Sequence, residues 1–513
     1  MSLTSVALCA TLAGARAVPA QTEHRVGTVH LPTSCAPTVT PQFDRAVALL
    51  HSFEFGASIR GFDSVLATDS TCAMAWWGIA LSRWTNPMVP NIRPTALLTS
   101  GRAAAEAATR HGARSPERER AYIAAVSELY GDADQRARVL AYERAMADLS
   151  ARFPADTEAK IFHALALVGA SLPTDKTYAN QLRAGAMLES LYVVKPDHPG
   201  LAHYIIHSYD VAALAGRATA AALRYADIAP AAAHALHMPS HTFTRIGMWN
   251  ESARTNLRSM EAAERDGSIA EALHAADYAV YADLQLHRDS AAHAIVQRLP
   301  TLAAKFDPTA VTGAAPGSAG VYALAAIPAR VALERRAWAS ASALTVSPSG
   351  FPNADALTYF ARALGAAHVG ELKRARRDLD SLAALQARLV ASRETYWAEQ
   401  VAIQHLSAAA WLDFADGRRT AALSHLRDAA DREAATEKAA VSPGPLVPAR
   451  ELLGEMLLAM RRPADALLEF RQSLTREPNR YQTLKGAADA ARAAGNHDAL
   501  REYTQALSRL SAH

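Results

Sequence analysis

Strand formers are sparse in this 513-residue chain, and no long alternation of Val, Ile and Thr occurs. A sheet-based domain is therefore excluded as the organising element. Charge of one sign is also missing: 53 basic residues stand against 50 acidic ones, a formal balance of +3. Nucleic acid and anionic membranes attract basic surfaces, so neither is expected as a partner. No apolar run reaches the roughly 18 residues of a membrane span, so no transmembrane segment is expected. There is no nucleophile elbow, phosphate loop, dinucleotide fingerprint or zinc-ribbon cysteine pattern, hence no support for a nucleotide cofactor. What is abundant is alanine, in a chain that is 50% hydrophobic, and helix dominates the reading.

The first twenty residues differ from the rest. Met1 to Leu12 are apolar and small, and Val18-Pro19-Ala20 precedes Gln21 as a small-residue cleavage site would. This reads as a secretory signal cut near Ala20, which predicts an exported protein, periplasmic or secreted. No Lys or Arg precedes the apolar core and Arg16 follows it, so a disordered tail is the competing reading. Outside this segment only Cys35 and Cys72 remain. In an exported chain two cysteines suggest one disulfide, pinning an N-terminal extension onto the second helix pair; two free thiols are the alternative.

The clearest internal unit is C-terminal: Leu453-Gly454, then Ala466, Phe470 and Pro478, in the spacing of a 34-residue pair of antiparallel helices. Small residues fit the helix crossing, Phe470 fills the gap between repeats, and Pro478 stops the second helix. Asn479 to His513 forms another pair broken at Gly495-Asn496. Phe43 to Asp69 reads as a pair turning at Gly56, with Phe62 in the large slot. Trp76 takes a packing slot, which turns Trp77 and Trp84 toward the groove. Pro199 to Pro230 is a further pair, and the next turns at Gly247. Three interruptions punctuate the pattern: Asn86–Pro94, Lys305–Gly320 and Val441–Pro448. The organisation expected is a signal over 1–20, an extension over 21–41, a helical-repeat arm over 42–304, a connecting loop over 305–320, and a second arm over 321–513.

Seven strings go beyond the repeat: Leu49–Phe53, Cys72–Gly78, Pro173–Gln181, His203–Asp210, Ala235–His241, Tyr396–Gln400 and Pro443–Glu451. From about Thr33 to the end, the chain resembles a bacterial family of tetratricopeptide-repeat proteins. The resemblance implies an all-α fold, a tetratricopeptide-type α-solenoid, and the regular spacing of Ala, Phe and Pro predicts at least eight helix pairs in a right-handed superhelix. It implies no activity.

Histidines carry the chemical signal. His203 and His207 lie four apart, as do His237 and His241, and the two pairs are separated by 34 residues. Each pair thus occupies one helical face at equivalent places on successive first helices. In such repeats those positions line the concave surface, so the resemblance implies that the side chains face the channel. Neighbouring helices pack about 10 Å apart, close enough for imidazoles from both to share an ion. Asp210 joins the first pair and His234 the second. Matching the turns at Gly247 and His287, at a forty-residue spacing, adds His274, Asp277 and Tyr281 from the following helix. Asp210, His234, His274, Asp277 and Tyr281 are expected as ligands or as partners that fix a ligand's tautomer. Zn, Cu or Fe accept such a set. Copying of an inert pair by repeat duplication, or histidines lining a peptide groove, would leave the same pattern. His163 falls at a packing position, and His51 faces the groove with no evident partner.

Asp175-Lys176 and Asn180-Gln181 stand where they can touch a ligand at the channel mouth or cap a helix. Glu437-Lys438 begins a loop that either folds into the superhelix or only connects repeats. Two functions fit. One is a binding or scaffold module of the cell envelope, taking a peptide, protein or small molecule in its concave groove. The other is a metal-dependent hydrolase or oxidoreductase built on the solenoid.

Overall fold

The computed structural model describes residues 24–89 and 91–511. The expected signal segment, its cleavage site at Ala20 and Cys9 lie outside the described residues. Every regular element among the described residues is helical, from the short 3-10 turn Pro37–Val39 to the helix His497–Ser511. The chain is an all-α solenoid of the tetratricopeptide type. Consecutive helices pack in pairs, for example Trp249–Arg265 on Ile269–Gln285 and Thr395–Ala415 on Arg419–Ala435. Each pair rests on the next.

The repeat logic is visible in single contacts. Phe470 is fully buried, and its ring lies so near Gly454 and Gly486 that a Cβ there would come within 2.7 and 2.4 Å of it. Small residues at both crossings are what admit the aromatic spacer. Phe62 bears the same relation to Gly78. One reading of this region needs correction. The first pair turns at Ser52–Glu54, where Phe53 takes a left-handed φ of 56°, and Gly56 lies inside the helix Phe55–Thr68. Trp77 is buried against Tyr122 and Phe162, and Trp84 against Tyr130, while Trp76 is only partly buried.

The N-terminal extension is tied down along its length. Cys35 and Cys72 are joined by a disulfide with Cα atoms 4.9 Å apart. Thr28 N–H donates to the Asp197 carbonyl, and Ala231 N–H to the Arg25 carbonyl.

The three interruptions do not merely connect. The 305–320 segment turns inward: Gly56 N–H donates to the Thr312 carbonyl at 2.8 Å and Ala315 N–H to Glu271 at 2.7 Å. The Ile269–Gln285 helix packs on Gly317–Glu334, so stacking continues across the segment. The 436–448 segment also enters the channel, where Tyr278 Oη donates to the carbonyl of Ser442 at 3.0 Å. Distant repeats meet as well: Lys176 pairs with Glu437 at 2.6 Å, and Trp249 Nε1–H donates to the Asn479 carbonyl. One result is unusual for a solenoid. Every residue of the Ile269–Gln285 helix is buried, on all faces. A first helix of this kind normally leaves one face to the channel; here that face is covered, and the channel is filled.

Candidate metal centre

The histidines lie on four helices. His203 and His207 come from Pro199–Ser208. His234 and His237 come from the short helix Ala233–His237, and His241 from Pro239–Arg245 directly after it. His274 comes from Ile269–Gln285. All six are buried, none more than 5% exposed.

The four histidines singled out by the 34-residue spacing do not converge on one point. They divide into two sets, each completed by one of the residues expected as an auxiliary. His203, His207 and His234 bring ring nitrogens within 4.8 Å of one another, and so do His237, His241 and His274. The sets adjoin: the His234 and His237 rings are 5.8 Å apart, and those of His207 and His241 are 6.1 Å apart. The division has a geometric cause. His234 lies one turn before His237, and its ring packs 5.0 Å from His203 of the preceding helix, whereas the His237 ring lies 4.5 Å from His274.

Hydrogen bonds fix the tautomers. His203 Nδ1 lies 2.6 Å from the carbonyl of His51, which can only accept, so the proton sits on Nδ1 and Nε2 carries the lone pair. His234 Nδ1 donates to Glu271 Oε1 at 2.9 Å, with the same consequence. The Nε2 atoms of His203, His207 and His234 are all buried without a partner. In the second set, Asn256 Nδ2 donates to the Ser252 carbonyl, which turns Asn256 Oδ1 toward His237 Nδ1 at 2.6 Å. His241 Nδ1 donates to Asp210 Oδ2 at 2.8 Å. Both remaining lone pairs then sit on Nε2, and these two atoms face each other at 3.0 Å. Two lone pairs at that distance repel unless a cation, a proton or a metal ion, lies between them. His274 adds an unpartnered Nδ1.

Burial, reinforced by neighbouring imidazoles, pushes His203, His207, His237 and His274 well below the usual histidine value. The fold thus favours the neutral, ligating form. Burial raises the Glu271 carboxyl, but His234, His237 and the Ala315 amide outweigh it and hold it at about 2. Asp210 is likewise raised by burial yet ends well below the carboxylate range, because Lys438, Arg245 and His241 surround it. Lys438 is itself pushed down to about 8 by burial. Glu54 goes the other way: burial and the charge of Glu271 raise it to about 8, while it accepts the backbone N–H of His234.

Two expected members are elsewhere. Asp277 forms a fully buried pair with Arg330, at 2.9 and 3.2 Å. The hydroxyl of Tyr281 accepts from Arg480 at 3.0 Å, and its ring lies under Arg330. Cations of the C-terminal repeats have drawn both away. Asp175-Lys176 does not face an open mouth either, since Lys176 clasps Glu437. His51 has partners after all: Nε2 meets Glu158 Oε2 at 2.8 Å, Nδ1 meets the Tyr204 hydroxyl, and Glu158 also holds His198. His163 is buried beside Glu143. Of the groups missed, Glu271 alone left a trace, standing three residues before His274 on one helical face. Asn256, Glu54 and Glu158 act across pairs and left none.

His207, His234, His241 and His274 border a cavity of about 280 Å³ walled by Val89, Ala315, Pro316 and Val441. Each of the three interrupting segments thus contributes to its walls. The arrangement can hold two cations on neutral nitrogen donors.

No family model matches the chain, and no curated protein matches it. Among solved structures it is similar to the human IFIT1 dimer with PPP-AAAA, at 11% identity over 92% of this chain and 95% of that one, with a TM-score of 0.42. It is also similar to yeast Tom70, at 11% identity over 90% and 96% of the two chains, with a TM-score of 0.34. Neither likeness bears on what this chain does.

Proposed function

We propose that the chain is an exported helical-repeat metalloprotein that binds two transition-metal ions, one on His203, His207 and His234 and the other on His237, His241 and His274. The observation that carries this reading is the facing pair His237 Nε2 and His241 Nε2, 3.0 Å apart with both Nδ1 atoms engaged as donors. Two ligands of one ion at bonds near 2.0–2.1 Å stand roughly 2.9–3.4 Å apart, so the spacing is that of metal ligands. The unpartnered Nε2 atoms of the other set add to it. Neutral imidazoles alone suit Zn, Cu or Fe. Three protein ligands per ion leave a coordination position for water, oxygen or substrate, which favours metal-dependent chemistry on small molecules over a closed structural site.

A scaffold reading retains one observation of its own. A cleft of about 1090 Å³ lies beside the 436–448 segment, with Tyr396, Trp397, Gln400 and Arg476 on its walls, and can take a peptide or small ligand independently of any metal.

Elemental analysis of protein purified without an affinity tag tests the metal reading. Two ions per chain are expected, falling to one in His207→Ala and to one in His274→Ala with helicity intact. Absence of metal at any stoichiometry, after incubation with Zn(II), Cu(I) and Fe(II) in turn, would refute it and leave the scaffold.

A further inference from the structure

A second cavity lies behind the first histidine set. It has about 510 Å³ of space, part of it open to solvent, and Leu50, Phe55, Trp84, Phe162 and Leu165 form most of its wall, with no charged side chain on it. Two features separate it from an ordinary packing defect. Tyr142 lines it and is only 8% exposed, and its hydroxyl has no hydrogen-bond partner among the described residues. Facing this space, the hydroxyl is free to donate to or accept from a ligand's polar group. The other feature is Phe53. Its ring lies 4.5 Å from His203, 5.6 Å from His207 and 5.8 Å from His234, and it also borders the cavity. Phe53 is the partition between the two spaces. Its backbone sits at φ 56°, a region costly for a bulky residue. Glycine would make that turn with less strain, so the ring is held there against local preference.

We infer that this cavity binds a neutral single-ring aromatic molecule bearing one hydrogen-bonding group, and presents it across Phe53 to His203, His207 and His234. Flat rings pack against Phe55, Phe162 and Trp84, the single polar group meets Tyr142, and the lack of charge excludes anions and cations. The binding half stands on the cavity alone; the presentation half rests on the metal reading.

The test uses full-length protein stripped of metal and titrated calorimetrically with p-cresol, toluene and benzoate. Saturable 1:1 binding of p-cresol is expected, with toluene weaker by roughly fivefold for want of the hydrogen bond, and no binding of benzoate. Leu165→Trp, which fills the cavity, should abolish p-cresol binding at unchanged helicity. Tyr142→Phe, a milder change, should erase the preference for p-cresol over toluene. No saturable p-cresol binding, or the same preference in Tyr142→Phe, overturns the inference. In protein loaded with Co(II), the ring protons of bound p-cresol should show strong paramagnetic relaxation. Binding without that relaxation overturns presentation to the histidines. Failure to load Co(II) at all would instead count against the metal reading, and the metal-free titration would still decide the cavity.

Discussion

Replacing one oxygen of Glu271 by nitrogen probes the centre without touching a ligand. The two carboxylate oxygens divide two tasks: Oε1 accepts from His234 Nδ1 at 2.9 Å and Oε2 from Ala315 N–H at 2.7 Å. In Glu271→Gln only one acceptor remains. If the amide oxygen keeps Ala315, the NH₂ group faces His234 Nδ1, the tautomer flips, and the proton moves to Nε2, which then has no lone pair for a metal. If the oxygen keeps His234, the NH₂ group abuts a backbone N–H, leaving two buried donors facing each other at a cost of about 1–3 kcal/mol. Either way the carboxylate charge behind the ligand is gone. Removing such a partner typically weakens metal binding about 10–100-fold, or about 1.4–2.7 kcal/mol. The effect should fall on one ion only, because His237 and His241 are oriented by Asn256 and Asp210. Chelator-competition titration at pH 7.5 resolves the two binding steps: one should weaken within that range while the other holds. Equal weakening of both steps, or no change in either, would refute the assignment of Glu271 to the His203, His207 and His234 set.

Three further expectations concern the frame around the centre. Changing Cys35 and Cys72 to Ser opens a loop spanning 37 residues, worth about 4 kcal/mol in chain entropy; because repeats contact only neighbours, faster amide exchange should be confined to the N-terminal helices, and unchanged exchange there would count against the estimate. In Gly200→Ala the new Cβ would come within 2.5 Å of His51 Nδ1; His51 must shift, its carbonyl anchors His203, and the ion on that set should bind about tenfold more weakly, with equal affinities ruling the coupling out. His368 is stacked on Trp338 at 3.8 Å and lies 4.2 Å from Trp411, and burial pushes it down to about 3. Its folded value is below the unfolded one, so the unfolded chain takes the proton first; stability is complete above about 6.5 and is lost as pH falls below it. By pH 5.5 the loss is about 1.4 kcal/mol. His368→Phe should remove that slope in urea midpoints compared at pH 7.5 and 5.5, and parallel curves for both proteins would sink the argument.

The parts of this molecule that repeat were readable, and the parts that cross between repeats were not. Phe470 between Gly454 and Gly486 follows from a spacing rule that acts over one unit. The same rule brought His203, His207, His237 and His241 to one neighbourhood. It could not divide them, because the division depends on His234 packing on His203 and His237 on His274, both from a five-residue helix ended by Pro239. The loops were harder. Nothing local in Val441–Pro448 says that it enters a channel; that is decided by Tyr278, far away in the chain, donating to Ser442. Asp277 shows the converse. Its position suited a ligand, and a buried guanidinium from a later helix, Arg330, claimed it. Short-range periodicity locates the site, and long-range charge pairing selects its members.

The three segments that wall the 280 Å³ cavity are made at different times. Val89 comes before any of the six histidines, Ala315 and Pro316 shortly after the last of them, and Val441 much later. At about 5–20 residues per second, a growing chain spends roughly 10–30 seconds between His274 and Val441. Throughout that interval the imidazoles form a bowl with one side unbuilt. On the two-metal reading, an ion present then would meet its ligands before the last wall is built. The 436–448 segment, held by the Lys176–Glu437 pair, would cover it afterwards.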